Sequence, residues 1–159
     1  MSFIVIFLGI IAVLFAAVFL TKRRFGILGL ALAAGAVLSN LWVGDLTPII
    51  AEAGIVIVKP PLESVVATGL TLLPALILLA SGPTYKKVAQ RVVGAAAFAV
   101  LAVSLLLEPL SAALVIDNNG RPLYDFFAQY RTIIITICLM FAVGDILLTK
   151  HIKRHKESS

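Results

Sequence analysis

Charged side chains are scarce in this 159-residue sequence: they make up 13% of it, against about 25% in an average soluble domain. Apolar residues take their place, at 61% of the sequence, and the mean hydropathy is +1.10. Within a bilayer the apolar runs of such a chain must satisfy their own backbone, which a helix does. The composition therefore predicts an all-α integral membrane protein, and the length allows one membrane domain, residues 1–159.

Sequence motifs that carry chemistry are also missing. There is no HExxH, GxSxG, GxxxxGK[ST], CxxC or GxGxxG pattern. The one cysteine, Cys138, lies in an apolar run and excludes an intrachain disulfide. His151 and His155 have a spacing that suits a metal ion on a helix, but Lys and Arg surround them. We therefore expect no enzyme, no cofactor and no metal site.

Five apolar runs approach the roughly 20 residues that cross a bilayer as a helix. The predicted spans are residues 3–20, 25–43, 64–81, 92–107 (with an alternative end at 116) and 132–149. The first run contains no charge and no proline, and a basic cluster follows it rather than precedes it. This order predicts a retained anchor instead of a cleaved signal peptide.

The positions of the basic residues predict an orientation. Ten of the thirteen fall into three groups: Lys22, Arg23 and Arg24; Lys86, Lys87 and Arg91; and Lys150, Lys153, Arg154 and Lys156. Five spans with the N-terminus outside place all three groups in the cytoplasm, as the positive-inside rule requires. The net charge of +5 then reflects topology, and we expect no nucleic-acid partner. The third group, in the tail 150–159, is predicted to attract anionic lipid at the cytoplasmic face.

The segment 44–63, GDLTPIIAEAGIVIVKPPLE, is the hardest to place. Its ten central residues would reach only about 15 Å as a helix, too short to cross. Thr47 as N-cap and Pro48 at the first helical position predict a separate short helix, which Gly54 can end. Extended chain is expected to follow, at the interface, packed on the bundle or lining a wet cavity, with Glu52 as a candidate outer contact.

The other outer connection contains RPLYDFFAQYR, residues 121–131, after the turn signal DNNG. On a helix, Leu123, Phe126, Phe127 and Tyr130 share one face. This pattern predicts a short amphipathic helix in the headgroup layer, and the alternative is a loop helix packed on the top of the bundle. Candidate outer contacts in it are Tyr124, Phe127 and Tyr130.

Small residues mark where helices can approach closely. The second span carries Gly26, Gly29 and Ala33, and the fourth carries Gly94, Ala95 and Ala99. Because small side chains allow close backbone contact, these two spans are predicted to pack tightly against each other.

Two further residues interrupt the apolar spans. Pro74 is predicted to kink the third span, with Thr68 or Thr71 satisfying the freed backbone. Asp145, near the cytoplasmic end of the fifth span, is the candidate intramembrane polar residue. Asp145 has two interpretations. It is either an interfacial carboxylate that contacts headgroups or a loop cation, or part of an ion or proton site.

The turn KRRFGILGL into a Gly/Ala-rich second span and the loop KKVAQRVVGAAAFAVLAV into a Gly/Ala-rich fourth resemble the CvpA (colicin V production protein) family over residues 3–107. The Arg-Gly-Phe turn of that family corresponds to Arg24-Phe25-Gly26, with Arg91 and Gly94 matching the fourth helix. The fifth span and basic tail extend beyond the usual four helices. The resemblance implies a bacterial inner membrane, a role in bacteriocin export or envelope homeostasis, and no catalytic residues.

Two functions follow as hypotheses. The first is a small non-enzymatic bundle, CvpA-like, that serves as an assembly partner or envelope-maintenance or export factor and binds another membrane protein or a second copy. The second is a subunit of a transporter or channel, in which Pro74, Asp145 and residues 44–63 would line the path. Scarcity of charge within the spans favours the first.

Overall fold

The computed structural model describes residues 3–55, 57, 59–85, 87–114 and 116–157, the stretch 149–157 as backbone alone. Its regular elements are helices, in the order α1 (Phe3–Thr21), α2 (Phe25–Glu52), α3 (Leu62–Ser81), α4 (Val88–Leu105), α5 (Leu107–Ala113) and α6 (Arg121–Glu157). Five of these are long and apolar enough to cross a membrane: α1, α2, α3, α4 and the part Arg121–Leu148 of α6. The predicted all-helical architecture with five long apolar helices is confirmed in the described part of the chain.

The two central helices are α2 and α4, which are the most buried of the five. Helix α1 packs on α4, α3 packs along α2, and α6 lies across both central helices. Large apolar side chains fill the space between them: Phe25, Leu28, Leu32, Phe98 and Leu101. A smaller cluster joins the start of α1 to the start of α6, where the rings of Phe7 and Phe127 meet edge to face at 5.3 Å.

Helix α2 continues through the segment that was predicted to begin a new helix. It runs unbroken to Glu52, so the predicted start at Thr47 and Pro48 is wrong. The Thr47 hydroxyl does not cap a helix but donates to the Val43 carbonyl, 2.6 Å away within the same helix. Pro48 is tolerated because its surroundings are exposed, so water can reach the carbonyl that lacks a partner. Gly54, at φ 90°, follows the helix end in the left-handed conformation, as expected.

The length of α2 changes how residues 44–63 are interpreted. Its 28 residues extend about 42 Å, against about 30 Å of hydrocarbon in a bilayer. Residues 44–52 are therefore the C-terminal part of a helix that is longer than the hydrocarbon layer, and not an independent element. Ile55 and Ile57 belong to neither helix nor strand, and Leu62 begins α3.

Helix α6 likewise merges two predicted elements. The amphipathic helix expected at residues 121–131 and the span expected at 132–149 form one helix of 37 residues. Pro122 lies in its first turn, where a missing N–H is harmless. Arg131, between the two predicted elements, stays helical and donates to the Ser104 carbonyl at 3.1 Å and to Glu108. The prediction of a separate helix lying in the headgroup layer is therefore wrong.

The fourth span ends earlier than its longer alternative. Helix α4 stops at Leu105, and the seven-residue α5 follows after a break at Leu106. Pro109 explains the break, since it has no N–H to donate to the Leu105 carbonyl one turn earlier. The continuous extension to residue 116 is wrong.

The backbones of α2 and α3 approach closely at Gly35. A Cβ atom on Gly35 would lie 2.9 Å from the Leu70 carbonyl oxygen and would also collide with the Thr71 carbonyl. Leu70 is the residue whose carbonyl Pro74 leaves without a helical donor. Gly35 therefore lets α2 cover backbone that the proline exposes, and its Cα hydrogen points at these carbonyls.

Candidate functional site at the basic end of the bundle

The basic end of the bundle comprises residues 22–24, residues 82–85 and 87, the first turns of α2 and α4, and α6 around Asp145. The two loops are hydrogen-bonded to each other. The Tyr85 N–H donates to the Lys22 carbonyl at 2.7 Å, and the Arg24 N–H donates to the Pro83 carbonyl at 3.0 Å. Lys22 has φ 58°, a left-handed turn that brings the loops together. The ends of four helices therefore meet in one place.

Arg23 caps the C-terminal end of α3. Its Nε donates to the Leu79 carbonyl at 2.8 Å, and its two terminal nitrogens donate to Ala80 and Gly82 carbonyls. The last carbonyls of a helix lack partners and carry partial negative charge, so a guanidinium is a well-matched cap.

Arg91 caps the C-terminal end of α1. Its Nη2 donates to the Phe19 carbonyl at 2.8 Å, and its Cζ lies 4.7 Å from the centroid of the Phe19 ring. The side chain therefore combines a hydrogen bond with a cation–π contact, and it ties α4 to the end of α1.

Asp145 and Tyr85 cap the opposite kind of terminus, the start of α2. The Gly26 N–H donates to Asp145 Oδ2 at 3.0 Å, and the Phe25 N–H donates to the Tyr85 hydroxyl oxygen at 3.2 Å. The Tyr85 hydroxyl in turn donates to Asp145, and Arg24 lies over the Tyr85 ring at 5.3 Å. Burial raises the pKa of Tyr85 to about 12, so this donor keeps its proton over the physiological range.

Together these contacts form a clasp, by which we mean Arg23, Arg91, Tyr85 and Asp145 with the helix ends that they cap. Each of these side chains hydrogen-bonds to backbone groups at a helix end that lack a partner within that helix. The Asp145 carboxylate lies at the positive N-terminal end of α2, and the two guanidinium groups lie at the negative C-terminal ends of α1 and α3. The clasp fixes relative helix positions. Each of its side chains hydrogen-bonds to backbone, while Arg91 Nε is buried without a hydrogen-bond partner among the described residues. The arrangement is suited to holding helices together.

The interpretation of Asp145 can now be made more specific. The expected partners were headgroups or a loop cation, whereas the structure gives a backbone N–H of α2 and a tyrosine hydroxyl. Pro74 lies midway along α3, and residues 44–52 lie at the other end of the bundle. The three features proposed to line one path are therefore at three separate levels. The predicted kink at Pro74 stays a prediction.

The small residues predicted to join α2 and α4 divide between two neighbouring helices. Gly26 and Gly29 face α6, since added Cβ atoms would lie 2.7 Å from the Ala142 carbonyl and 3.3 Å from its Cβ. Gly94 does meet α2, 3.3 Å from Phe25 Cβ, and also Tyr85. Of the other predicted contact residues, Ala95 and Ala99 are buried and Ala33 is partly buried.

The candidate outer contacts fall into two kinds. Tyr124 and Phe127 pack on the start of α1, with the Phe3 and Tyr124 rings 6.5 Å apart. Glu52 and Tyr130 are exposed, and Tyr130 lies beside the exposed Phe126 at 5.0 Å between ring centroids. The side chains of Lys150, Lys153, Arg154 and Lys156 lie outside the described residues, and so does Lys86.

No structural role was predicted from the sequence for four of the residues described above. Arg23 appeared as a member of a charge group, Arg91 as a member of a charge group and as a match to the family resemblance, and Tyr85 and Gly35 did not appear. A signal existed for the arginines, because each lies within one turn of a helix end. Tyr85 and Gly35 depend on tertiary approach, and no local pattern identifies them.

Comparison with known proteins adds no family: no protein-family model, no curated protein and no solved structure matches the chain.

Proposed function

We propose that the protein is a non-enzymatic multi-pass membrane protein that acts as an assembly partner, in the manner expected of a CvpA-like envelope-maintenance or export factor. The clasp carries this proposal. Alternating access requires helices to adopt two arrangements, whereas the clasp joins α1 to α4, α2 to α6, and the α1–α2 loop to α3 at one end. A bundle with fixed ends is suited to present a surface.

The surface proposed for contact is the exposed aromatic pair Phe126 and Tyr130 with the C-terminal part of α2, residues 44–52. Phe126 is 53% exposed and Tyr130 40% exposed. Aromatic side chains are enriched in protein interfaces because they bury much area at low entropic cost. The occupant is proposed to be another membrane protein or a second copy of this chain.

The orientation belongs to the same proposal. The N-terminus is placed outside and the basic end in the cytoplasm, in a bacterial inner membrane if the family resemblance holds. Support comes from Lys22, Arg23, Arg24, Lys87 and Arg91, which all lie at the same end of the bundle. In a Cys138→Ser background, a cysteine at Ala53 should label from outside and one at Lys87 from inside. Labelling of both from one side would refute the orientation.

The contact surface is tested by a photo-crosslinking phenylalanine analogue at Phe126, in native membranes. The matched control is Val13, which is 68% exposed on α1 at mid-span. We expect one discrete protein adduct from position 126, weakened by Tyr130→Ala, and only lipid adducts from position 13. Mass spectrometry of the adduct distinguishes a second copy from a different protein.

Two results would contradict the proposal. The first is identical lipid-only labelling at both positions. The second is ion or solute flux through the purified protein in vesicles that Asp145→Asn abolishes without loss of the folded protein, which would favour the transporter hypothesis.

A further inference from the structure

A groove opens between α4 and α6 at the basic end, beside the clasp. Its volume is about 370 Å³, and its lining residues are Tyr85, Ala89, Gln90, Val93, Phe141, Gly144, Asp145 and Leu148. The lining on α6 has the spacing of one helix face, and the lining on α4 covers its first two turns. The two helices touch further along, where Cys138 lies against the Ala97 carbonyl.

Gly144 leaves open space in the wall of the groove. A Cβ atom on Gly144 would meet nothing within 4 Å, so the position is open space and not a packing contact. Ala89, opposite on α4, contributes only a methyl group. Both walls belong to helices that can cross a membrane, so the groove opens toward lipid.

The walls of the groove favour an apolar occupant. Val93 is 54% exposed, Phe141 44% and Leu148 67%. An acyl chain can pack against these side chains through dispersion contacts. A flexible hydrocarbon chain is the occupant that can follow an irregular groove at this depth.

The charge next to the groove favours an anionic headgroup. Of the described cationic side chains at the basic end, Arg23 and Arg91 cap helix ends and Arg24 lies over a tyrosine ring, so these three are already engaged. The lining itself carries the carboxylate of Asp145. That carboxylate already accepts from Gly26 and Tyr85. Lys87 is exposed and lies in sequence between the lining residues Tyr85 and Ala89. It occupies the N-cap position of α4 without a side-chain cap, which leaves the first N–H groups of that helix for an acceptor.

We propose that the groove binds one anionic phospholipid, with its phosphate at Lys87 and the first turn of α4 and one acyl chain along Val93, Phe141 and Leu148. The site rests on the membrane placement proposed above, but not on the assembly role. It also differs from attraction of lipid by the basic tail, because it needs a shaped apolar groove as well as charge.

The test uses the full-length protein in mild detergent, titrated with phosphatidylglycerol or with phosphatidylcholine of the same acyl chains, and native mass spectrometry counts retained lipids. We expect one phosphatidylglycerol to be retained in preference to phosphatidylcholine. Gly144→Leu fills the groove without changing any charge and should weaken retention at least tenfold, because the acyl chain then has no space between α4 and α6. Lys87→Gln should weaken it about fivefold, the effect of one lysine near a membrane surface.

Matched controls separate the groove from general effects. Gly69→Leu places the same side chain at another open position, on α3, and Lys22→Gln removes the same charge from the same end. Both should retain phosphatidylglycerol as the parent does, and buried Cys138 reports by its slow thiol labelling that each variant is folded.

Three outcomes would overturn the site: equal retention of the two lipids, Gly144→Leu behaving like Gly69→Leu, or displacement of the lipid by glycerol phosphate alone. None of these outcomes bears on the photo-crosslinking at Phe126, so the two proposals fail separately.

Discussion

Replacing Gly35 by alanine tests whether the crossing of α2 and α3 depends on bare backbone. The new Cβ would lie 2.8 Å from the Thr71 carbonyl carbon and 2.9 Å from the Leu70 oxygen, against 3.4–4 Å for ordinary contact. These are backbone atoms that cannot rotate away, so the helices must move apart. Overpacking of this kind costs about 1–3 kcal/mol.

The control is Gly69→Ala, at a position on α3 where an added Cβ meets nothing within 4 Å. Alanine gains about 1 kcal/mol over glycine in a helix interior, and both variants receive this gain. The difference between them is therefore the collision alone, about 1–3 kcal/mol. At about 2–4 °C per kcal/mol for a chain of this length, Gly35→Ala should unfold about 2–12 °C below Gly69→Ala.

The assay is thermal unfolding in detergent, followed with a thiol-reactive dye. Cys138 is 9% exposed and is the one cysteine in the sequence, so it reacts as the bundle opens. If Gly35→Ala melts at or above the temperature of Gly69→Ala, the close approach of α2 to the Leu70 and Thr71 carbonyls is refuted.

The clasp gives further predictions in the same assay. Arg23→Lys keeps the charge but cannot reach three carbonyls, so the midpoint should fall by several degrees, the effect of about 1–3 kcal/mol, while Lys22→Gln leaves it unchanged. Tyr85→Phe leaves the Phe25 N–H without its acceptor, at a similar cost, and should speed hydrogen exchange at the start of α2. The raised pKa of Tyr85 stabilises the fold fully below pH 10, and this contribution is lost as pH rises toward 12, because only the unfolded chain ionises there. The Tyr85→Phe variant should therefore lose less stability between pH 10 and 12 than the parent does. If the two proteins lose stability equally over this range, the hydroxyl of Tyr85 is not buried as described.

The number of long helices could be predicted from sequence because each apolar run has the length of a span and charged residues mark its limits. The exact helix boundaries, which lie in the connections between the apolar runs, were harder to predict. Pro48 looked like a helix start, yet a proline is also tolerated where water can satisfy the freed carbonyl. Arg131 looked like a boundary, yet its charge is satisfied by Glu108 and the Ser104 carbonyl without interrupting α6.

The contacts between helices were the least predictable part. Glycine-rich faces indicate that close packing occurs, but not against which neighbour. Gly26 faces α6 because α6 supplies Asp145 for the start of α2, a pairing across 119 positions of sequence. Gly35 is no more prominent in the sequence than Gly29, and it differs only in the carbonyls that α3 presents to it.

The clasp has a consequence for how the chain is made. Synthesis proceeds from the N-terminus, so Arg23 is already present when the end of α3 emerges. The Phe19 carbonyl, in contrast, must wait 72 residues for Arg91, and the Gly26 N–H must wait 119 residues for Asp145. The end of α1 therefore stays open until α4 is made, and the start of α2 stays incompletely capped until α6 is made. A nascent chain stopped before α6 would present an unsealed start of α2.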